Sequence, residues 1–455
     1  MSLDAVNPAT GTVIRKYPEM EDGAVEDILA HAHQAYLEWR DTDFPDRAAP
    51  MRAAATILRD RSRELAELMT REMGKPVAAG EGEVEKCAWV CEHYAEHAEA
   101  FLAPVRVETE ATRSYWTHRP LGVVLAVMPW NFPFWQVFRF AAPGLMAGNA
   151  GVLKHASNVP GCALAIEEVF RDAGFPEHLF RTLMIGSPAV EKVIEDERVR
   201  AVTLTGSVGA GKAVASKAGS LVKKTVLELG GSDPYVVLED ADLAAAAETC
   251  ASSRLINSGQ SCIAAKRFVV VDAVHDAFLE RFSARMKKAK MGDPLKEDTE
   301  IGPQATEALR DQLHDQVRRS VDAGARLVVG GEVPDKAGAW YPPTVLADVA
   351  PGMPAWEEEL FGPVAAVIRA DDEEDAIRIA NATSFGLGAA VFTKDLERGE
   401  RIARDRLEAG CCFVNALVKS DPRLPFGGIK ESGYGRELSP LGIREFVNVK
   451  TVWVD

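Results

Sequence analysis

Short runs of apolar residues alternate with segments of helical periodicity from Leu121 onward. The first series comprises LGVVLAVMP, AGVLKHAS, RTLMIG, AVTLTG and TVLELGG. A second series begins after Gly231 and comprises PYVVLED, RFVVVDA, ARLVVGG, PVAAVIRA, GAAVFTK and GCCFVNA. Strands that are apolar along their whole length are typical of parallel sheets covered by helices on both faces. The sequence therefore predicts an α/β fold with two parallel-sheet domains, which the length of 455 residues also favours.

The segment before the first series has a different pattern. Between Val25 and about Tyr94, apolar residues recur at intervals of three and four, as in VEDILAHAHQAYLEWR and RAAATILRDRSRELAELMTREMGK. This spacing predicts amphipathic helices, and Gly74 stands where a helix C-cap is expected. We therefore expect a helical layer before the first sheet.

Two further segments alternate like isolated strands, ETEATRSYWTHRP near residue 115 and the tail REFVNVKTVWVD. Neither segment has a strand partner next to it in the sequence. Because proteins usually cover an unpaired strand edge, we expect these strands to pair across a subunit interface. Pairing within the chain is the alternative.

Charge and cysteine content limit the partners and the compartment. With 68 acidic and 52 basic residues the formal net charge is −16, so we expect neither nucleic acid nor an anionic membrane as a partner. The N-terminal MSLDAVNPATGTVIRKYPEM lacks the basic end and apolar run of a signal peptide. Seven scattered cysteines indicate free thiols, and no His or further Cys stands at zinc spacing beside the closest pairs. We therefore expect a cytoplasmic protein without a metal site.

The segment TLTGSVGAGKAV is predicted to form a strand, a glycine turn and the start of a helix, an arrangement that suits a phosphate. Gly206, Gly211 and Lys212 have the spacing of a triphosphate-binding loop, but Ala213 follows where Mg²⁺ requires Ser or Thr. The glycine positions also depart from the dinucleotide pattern G-x-G-x-x-G. The segment therefore predicts a phosphate-binding site but does not identify the ligand that carries the phosphate. A P-loop-like nucleotide-binding protein remains an alternative.

Three residues have contexts that suit catalysis. Cys262 lies in the polar turn of INSGQSCIAAKR, where it is either a nucleophile or a structural cysteine. Glu228 ends the apolar run of VLELGGSDP, and burial there would raise its pKa and make it a general base; an exposed strand-end acid is the alternative. Asn131 in VMPWNFPFWQVFR is held between prolines and aromatics, which suits either an oxyanion donor or a structural turn.

A fourth context is GVLKHASN, in which Lys154 ends a strand and Ser157 follows three residues later. A cation and a hydroxyl at the carboxyl end of a parallel strand can hold a ribose or a phosphate. A surface loop is the alternative.

The order of these motifs along the chain is a more specific indication of a protein family than any single motif. It runs Pro-Trp-Asn-Phe-Pro, Lys-x-x-Ser, Thr-Gly-Ser, Leu-Glu-Leu-Gly-Gly, Gly-Gln-Ser-Cys, Glu-Leu-Phe-Gly-Pro and Pro-Phe-Gly-Gly-x-Lys. In this order the chain, from residue 5 to its end, resembles the aldehyde dehydrogenase superfamily. Within it, MPWNFPFWQ, LKHASNVP, LELGGSDP and CIAAKRF most resemble the short bacterial succinate-semialdehyde dehydrogenases.

The resemblance implies an aldehyde dehydrogenase-like α/β fold with three parts. These are a Rossmann-type dinucleotide-binding domain (1–106 and 125–229), an α/β catalytic domain (230–427), and a small β oligomerisation element (107–124 and 428–455). It also implies a homodimer or homotetramer.

The resemblance further implies catalytic roles. Cys262 would attack the aldehyde to give a thiohemiacetal, whose oxygen the Asn131 amide and the Cys262 N–H would hold. Glu228 would activate water to hydrolyse the thioester that forms after hydride transfer. Because relatives that transfer the acyl group to coenzyme A tend to lack this acid, hydrolysis to a carboxylic acid is favoured.

Cofactor contacts are implied for eight residues. These are Trp130, Lys154, Ser157, Gly206, Ser207, Leu229, Glu359 and Phe361. In strictly NAD-dependent relatives a Glu often stands at the position of Ser157, where it would repel the 2′-phosphate of NADP. Because Ser157 removes this repulsion and Lys154 is nearby, we predict that NADP is preferred and NAD is accepted.

The implied substrate is a small aldehyde, first of all succinic semialdehyde, which would be oxidised to succinate. Arg139 matches an arginine that binds the distal carboxylate in related enzymes, although a structural role is the alternative. Ile256 stands where some relatives carry a second arginine. We therefore expect Ser420, or else Lys419 or Arg423, to contribute to binding of the carboxylate. A broad-specificity dehydrogenase, or one for another semialdehyde or aliphatic aldehyde, is the alternative function.

Overall fold

Two large open sheets dominate the structure, a computed structural model that describes residues 2–455. Its helices are α1 (Asp22–Trp39), α2 (Phe44–Asp60), α3 (Ser62–Met73), α4 (Val77–Phe101), α5 (Trp135–Met146), α6 (Pro160–Asp172), α7 (Val190–Glu195), α8 (Val208–Ser220), α9 (Leu243–Leu255), α10 (Asp272–Lys288), α11 (Glu307–Asp322), α12 (Pro354–Glu357), α13 (Glu373–Asn381), α14 (Leu396–Asp405) and α15 (Ser439–Ile443), with 3₁₀ turns at Ser187–Ala189 and Ile256–Gly259.

The strands are distributed along the chain from Ser2 to Val454. They are β1 (Ser2–Asn7), β2 (Thr12–Pro18), β3 (Val105–Arg106), β4 (Arg113–Pro120), β5 (Val123–Met128), β6 (Ala150–His155), β7 (Phe180–Thr182), β8 (Val199–Thr205), β9 (Lys224–Glu228), β10 (Pro234–Val237), β11 (Arg267–Val271), β12 (Arg326–Val329), β13 (Thr344–Ala347), β14 (Val364–Ala370), β15 (Phe385–Gly386), β16 (Gly388–Phe392), β17 (Cys411–Val414), β18 (Ile429–Lys430), β19 (Gly433–Tyr434) and β20 (Val447–Val454).

The six-stranded sheet has the order β19-β9-β8-β5-β6-β7, and all of its strands except β19 are parallel to their neighbours. From β5 the chain builds outward through β6 and β7, and then returns to the other side of β5 with β8 and β9. The strand order therefore reverses between β5 and β8. Ligands of open α/β sheets bind at the carboxyl ends of strands beside such a point, which is where the chain leaves β5 at Met128 and β8 at Thr205.

The seven-stranded sheet has the order β12-β13-β14-β11-β10-β16-β17. It is parallel from β13 to β17, while β12 pairs antiparallel with β13. The predicted α/β fold with two parallel-sheet regions is confirmed. The sequence did not reveal β13, a buried four-residue strand, or the β1–β2 hairpin.

The predicted helical layer is also confirmed. Helices α1 to α4 occupy most of residues 22–101, and α3 ends at Gly74, whose φ of 80° is the left-handed conformation of a C-cap. Helices α2 and α4 pack against α5 beside the first sheet. In this core Phe138 stacks on Phe170 with ring centroids 5.0 Å apart, and burial of each ring stabilises the fold by about 1.5–3 kcal/mol.

The two alternating segments form a three-stranded antiparallel sheet of order β20-β4-β3. The alternative, pairing within the chain, is observed: β20 pairs with β4 of the same chain over eight residues, from Val447 opposite Pro120 to Val454 opposite Arg113. The expected pairing across a subunit interface stays a prediction for the outer edge of β20. Strand β19, in the same C-terminal segment, pairs with β9 of the first sheet. Within residues 2–455, no helix combines the length and the apolarity needed to cross a bilayer.

Candidate active site

A left-handed turn precedes Cys262. Asn257, Ser258 and Gly259 have φ values of 52°, 57° and 77°. Such a run is costly for residues with a Cβ, although Asn tolerates it better than most. Glycine is required at 259, because a Cβ there would lie 2.2 Å from the backbone of Gly362. The turn therefore stores strain next to Cys262 and needs a tightly packed environment to persist.

Hydrogen bonds fix this turn against the segment that carries Asn131. The Asn131 side chain donates from Nδ2 to the carbonyl of Gln260 at 3.1 Å, and Asn257 Nδ2 donates to the backbone carbonyl of Asn131 at 2.7 Å. An amide nitrogen carries two hydrogens, so Asn131 keeps one donor for another acceptor. Buried Lys266 donates to the carbonyls of Ser261 and Cys262 at 2.8 and 2.6 Å, which holds the loop from its other side.

A buried ion pair supports the segment between Asn131 and α5. Glu83 of α4 accepts hydrogen bonds from the backbone N–H groups of Phe134 and Trp135, both at 2.9 Å, and is ion-paired with Lys75. A carboxylate at this position caps the positive end of the helix. The Lys75 ammonium also lies 3.8 Å from the ring centroid of Phe132. These contacts hold the residue next to Asn131 in one orientation.

Cys262 lies where two cavities meet. One cavity of about 240 Å³ is lined by residues of α4, α5, the turn at 256–263 and the loop at 417–426. The other, of about 550 Å³, lies at the carboxyl ends of β5 and β8. Among the residues that the structure describes, Cys262 and Gln136 line both cavities. A thiol in this position can meet one molecule from each side.

The larger cavity contains most of the residues predicted to hold a cofactor. They are Trp130, Gly206, Ser207, Leu229, Glu359 and Phe361. The ring of Trp130 meets Phe361 edge to face at 5.7 Å between centroids. Ser207 is the N-cap of α8 and accepts from Ala210 N–H at 3.3 Å, so the start of this helix faces the cavity, as a pyrophosphate requires.

Close packing of α8 on its sheet depends on Gly211, because a Cβ there would lie 2.5 Å from Leu229. Lys212 is turned to solvent on the same helix and bonds Glu431 at 2.7 Å. Its position does not suit the lysine of a triphosphate loop.

Lys154 and Ser157 lie outside the lining of the larger cavity. Lys154 ends β6 and is 5% exposed; burial lowers its pKa, and its Nζ lies 3.4 Å from Ser187 Oγ. Ser157 is exposed in the loop that follows. Both residues stand at the end of the strand next to β5, on the same edge of the sheet as the cavity.

Glu359 has partners on both sides. Its Oε1 accepts from Gly231 N–H at 3.0 Å and lies 3.3 Å from Lys266 Nζ. Lys266 therefore joins the wall of the larger cavity to the Cys262 loop.

Burial sets the ionisation of the two candidate reactive groups. It raises the pKa of the Cys262 thiol to about 12, although Arg139 and Lys266 oppose this shift. Burial, and next the charge of Glu437, raise the pKa of Glu228 well above its usual range. Burial therefore favours the protonated form of both groups, and a reaction requires a proton to leave each of them.

The carboxyl group of Glu228 lies beside Gly427, where a Cβ would be 2.6 Å from its Oε1, and within residues 2–455 neither oxygen has a hydrogen-bond partner. Glu228 lines neither of the two cavities in this conformation. Beside it, Glu437 is ion-paired with Arg139. Burial raises the pKa of Glu437 as well, and the charge of Arg139 opposes the rise in both carboxyl groups. To meet a reactant at Cys262, the Glu228 side chain would have to rotate.

The smaller cavity contains both predicted substrate residues. Arg139 is 2% exposed, is ion-paired with Glu437 and donates to Thr205 Oγ1 at 3.2 Å. Ser420 Oγ accepts hydrogen bonds from Lys86 Nζ at 2.7 Å and from Trp135 Nε1 at 3.2 Å. Lys419 and Ile256 line the same cavity, whereas Arg423 does not and is paired with Asp421 at 2.7 Å.

Sequence reasoning missed three residues in this region. Lys86 lies in a helix where its neighbours resemble an ordinary amphipathic face, and nothing local shows that it reaches a cavity. Glu437 is almost 300 residues from its partner Arg139. Lys266 carried one weak signal, a lysine four residues after Cys262 inside an apolar run.

A cysteine shared by a cavity at the carboxyl ends of parallel strands and a second, smaller cavity suits an oxidoreductase that holds a dinucleotide in one cavity and its substrate in the other. The sequence profile of the Aldehyde dehydrogenase family matches residues 1–452. The chain belongs to the aldehyde dehydrogenase family. It is an NAD(P)-dependent enzyme of that family, as its motifs predicted.

Individual relatives cover the chain completely. It is 50% identical over 454 residues to a probable succinate-semialdehyde dehydrogenase [NADP(+)] of Synechocystis sp., with 100% of both chains covered. It is 49% identical over 457 residues to succinate-semialdehyde dehydrogenase [NADP(+)] 1 of Mycobacterium tuberculosis, again with 100% of both covered. Among solved structures, the succinic semialdehyde dehydrogenase of Streptococcus pyogenes in complex with NADP⁺ superposes with a TM-score of 0.97, 40% identity and 99% of each chain covered.

Proposed function

We propose that this chain oxidises succinic semialdehyde to succinate with NADP as the preferred cofactor and NAD as the alternative. One structural observation supports the proposal above the others: Cys262 lines both the cavity at the sheet edge and the smaller cavity that contains Arg139 and Ser420. The names of relatives at about half identity over the whole chain point to the same substrate and cofactor.

The residues of the chain perform the first chemical step. The Cys262 thiol releases its proton to solvent, and the thiolate Sγ attacks the aldehyde carbon, which gives a thiohemiacetal with a negatively charged oxygen. The second hydrogen of Asn131 Nδ2 and the Cys262 N–H stabilise that charge. NADP, when bound in the larger cavity, supplies the acceptor for the hydride that leaves this carbon. A thioester on Cys262 remains.

Glu228 performs the second step as a general base. After rotation toward Cys262, its ionised carboxylate takes a proton from water, and the water oxygen attacks the thioester carbon. The C–S bond breaks, the thiolate is restored and the carboxylic acid leaves. Burial raises the pKa of Glu228, and a raised pKa suits a base that operates near neutrality.

The cofactor residues proposed are those of the larger cavity together with Lys154 and Ser157. Their fit to a dinucleotide rests on the position of the cavity beside the reversal of strand order and on the start of α8 at Ser207. Lys154, nearly buried and with only a long contact to Ser187, has a cation free for an anionic or hydroxyl group.

Ser157→Glu tests the preference for NADP. The added carboxylate would repel a 2′-phosphate and accept hydrogen bonds from ribose hydroxyls, so we expect kcat/KM with NADP to fall about tenfold or more and that with NAD to rise. Ser157→Ala is the matched control and should keep the preference for NADP. Unchanged NADP kinetics in Ser157→Glu would contradict the assignment.

The substrate assignment is tested by initial rates on a panel of aldehydes. We propose that Arg139 and Ser420 lie near the distal carboxylate, with the cation of Arg139 already partly offset by Glu437. Succinic semialdehyde is expected to have the highest kcat/KM, well above that of butanal, which has the same number of carbons and no carboxylate. Equal values for the two aldehydes would favour the broad-specificity alternative.

We also propose that the enzyme is a cytoplasmic homo-oligomer, either a dimer or a tetramer. All seven cysteines are free, which suits a reducing compartment. The outer strand of the small sheet, β20, carries exposed apolar residues, with Val449 58% and Trp453 46% exposed. An edge of this kind is usually covered. Light scattering of the wild type is expected to show an oligomer that Val449→Glu weakens; a monomeric wild type would contradict this.

A further inference from the structure

Lys86 places a cation in the wall of the cavity that Cys262 shares. It lies on α4 and is half-buried, with its Nζ donating to Ser420 Oγ at 2.7 Å. The same Nζ lies 4.3 Å from the ring centroid of Trp135. The cavity is otherwise largely apolar, with walls formed by side chains that include Phe132, Trp135, Ile263, Leu417 and Phe426.

The acidic groups closest to Lys86 are already engaged elsewhere. Glu83, one turn earlier on α4, is ion-paired with Lys75 and accepts from two backbone N–H groups at the start of α5. Asp421 accepts two hydrogen bonds from the Arg423 guanidinium, at 2.9 and 2.7 Å. Within residues 2–455, Lys86 has no carboxylate within the 4.0 Å that defines an ion pair. Its charge is therefore left for a ligand to balance.

Arg139, a second cation of the cavity, already has a counter-ion. Arg139 is buried with Glu437 as its counter-ion, so a second carboxylate that approached it would meet a pair whose net charge is close to zero. Lys419 also lines the cavity, but it is exposed to water, which screens its charge. Of these three cations, Lys86 combines partial burial with an uncompensated charge.

We propose that Lys86 is the residue that selects aldehydes with a distal carboxylate: its Nζ, together with Ser420 Oγ, binds the carboxylate of the substrate while the aldehyde group reaches Cys262. This inference rests on the proposed function. Burial lowers the pKa of Lys86 to about 8, with Arg139 adding to this shift, and a bound carboxylate would favour the charged ammonium again. Lys86 does not strengthen the binding of an aldehyde that lacks a carboxylate.

Lys86→Met tests the proposal, because it keeps the length and apolar stem of the side chain and removes the charge. We expect KM for succinic semialdehyde to rise about tenfold or more, as for the loss of a charged hydrogen bond, while kcat for this aldehyde and both constants for butanal change little. Lys86→Arg should restore part of the loss. Lys192→Met, a surface lysine paired with Asp22, is the matched control and should behave as wild type.

Inhibition of butanal oxidation by succinate gives a second measurement that does not depend on turnover of the semialdehyde. Succinate should inhibit the wild type and should inhibit Lys86→Met and Lys86→Gln at least about tenfold more weakly. An unchanged KM and unchanged inhibition would overturn the proposal, and so would an equal loss with both aldehydes or a loss found in Lys419→Met instead. A wild type that is inhibited by succinate but does not oxidise succinic semialdehyde would contradict the proposed function and leave the Lys86 assignment standing.

Discussion

Cys262→Ala is expected to lower kcat for aldehyde oxidation by at least about 10⁴-fold, because removal of a covalent nucleophile leaves only binding and oxyanion stabilisation. Among the residues that the structure describes, Cys262 is the one cysteine that lines either cavity. No neighbouring thiol can therefore take its place. The measurement is the initial rate of formation of the reduced cofactor with saturating aldehyde and NADP.

Cys412→Ala is the control for this variant. Cys412 is also half-buried and free, but it lies in β17 with its Sγ directed toward the carbonyls of Leu407 and Ala409. It lines neither cavity, so its loss should leave kcat unchanged. Wild-type activity in Cys262→Ala, or an equal loss in Cys412→Ala, would be incompatible with a covalent role for Cys262.

Glu228→Gln is expected to lower kcat by about 10²–10⁴-fold, the usual contribution of a general base. A base acts in its deprotonated form, and burial together with the charge of Glu437 raises the pKa of Glu228. The wild-type kcat should therefore rise from acidic toward alkaline pH as Glu228 ionises. The variant should lose this rise as well as most of its rate.

The pH profile of kcat separates this effect from a general loss of stability. Glu195→Gln removes an exposed carboxylate that pairs with Lys217, and it should retain both the rate and the profile. A Glu228→Gln variant that kept the wild-type rate and the wild-type pH dependence would show that another group activates the water.

The fold was predictable because its signals are local. Each parallel strand of the two large sheets, apart from β13 and the short β7, coincides with an apolar run, and the glycine that ends α3 occupies the expected left-handed conformation. The antiparallel pairing of β20 with β4 was not predictable, because strand alternation shows which face of a strand is buried but not which edge is paired.

The candidate site was predictable where a motif combines with the end of a strand. Asn131 follows β5, Gly206 and Ser207 follow β8, and Leu229 follows β9; all four residues line the larger cavity. The counter-ion of Arg139 and the orientation of Lys86 depend on contacts between segments that are hundreds of residues apart. A single sequence contains no signal for such contacts, so the charge balance of the smaller cavity emerged only from the structure.

The proposed function depends on oxidation of the aldehyde while it is bonded to Cys262, at the junction of the two cavities. The most direct test is to mix Glu228→Gln with NADP and succinic semialdehyde at alkaline pH, quench with acid, and map the acylated peptide by mass spectrometry. A succinyl group is expected on the peptide that contains Cys262, in an amount equal to the reduced cofactor formed. Reduced cofactor formed with Cys262 unmodified and the acyl group on another residue, or on none, would contradict it.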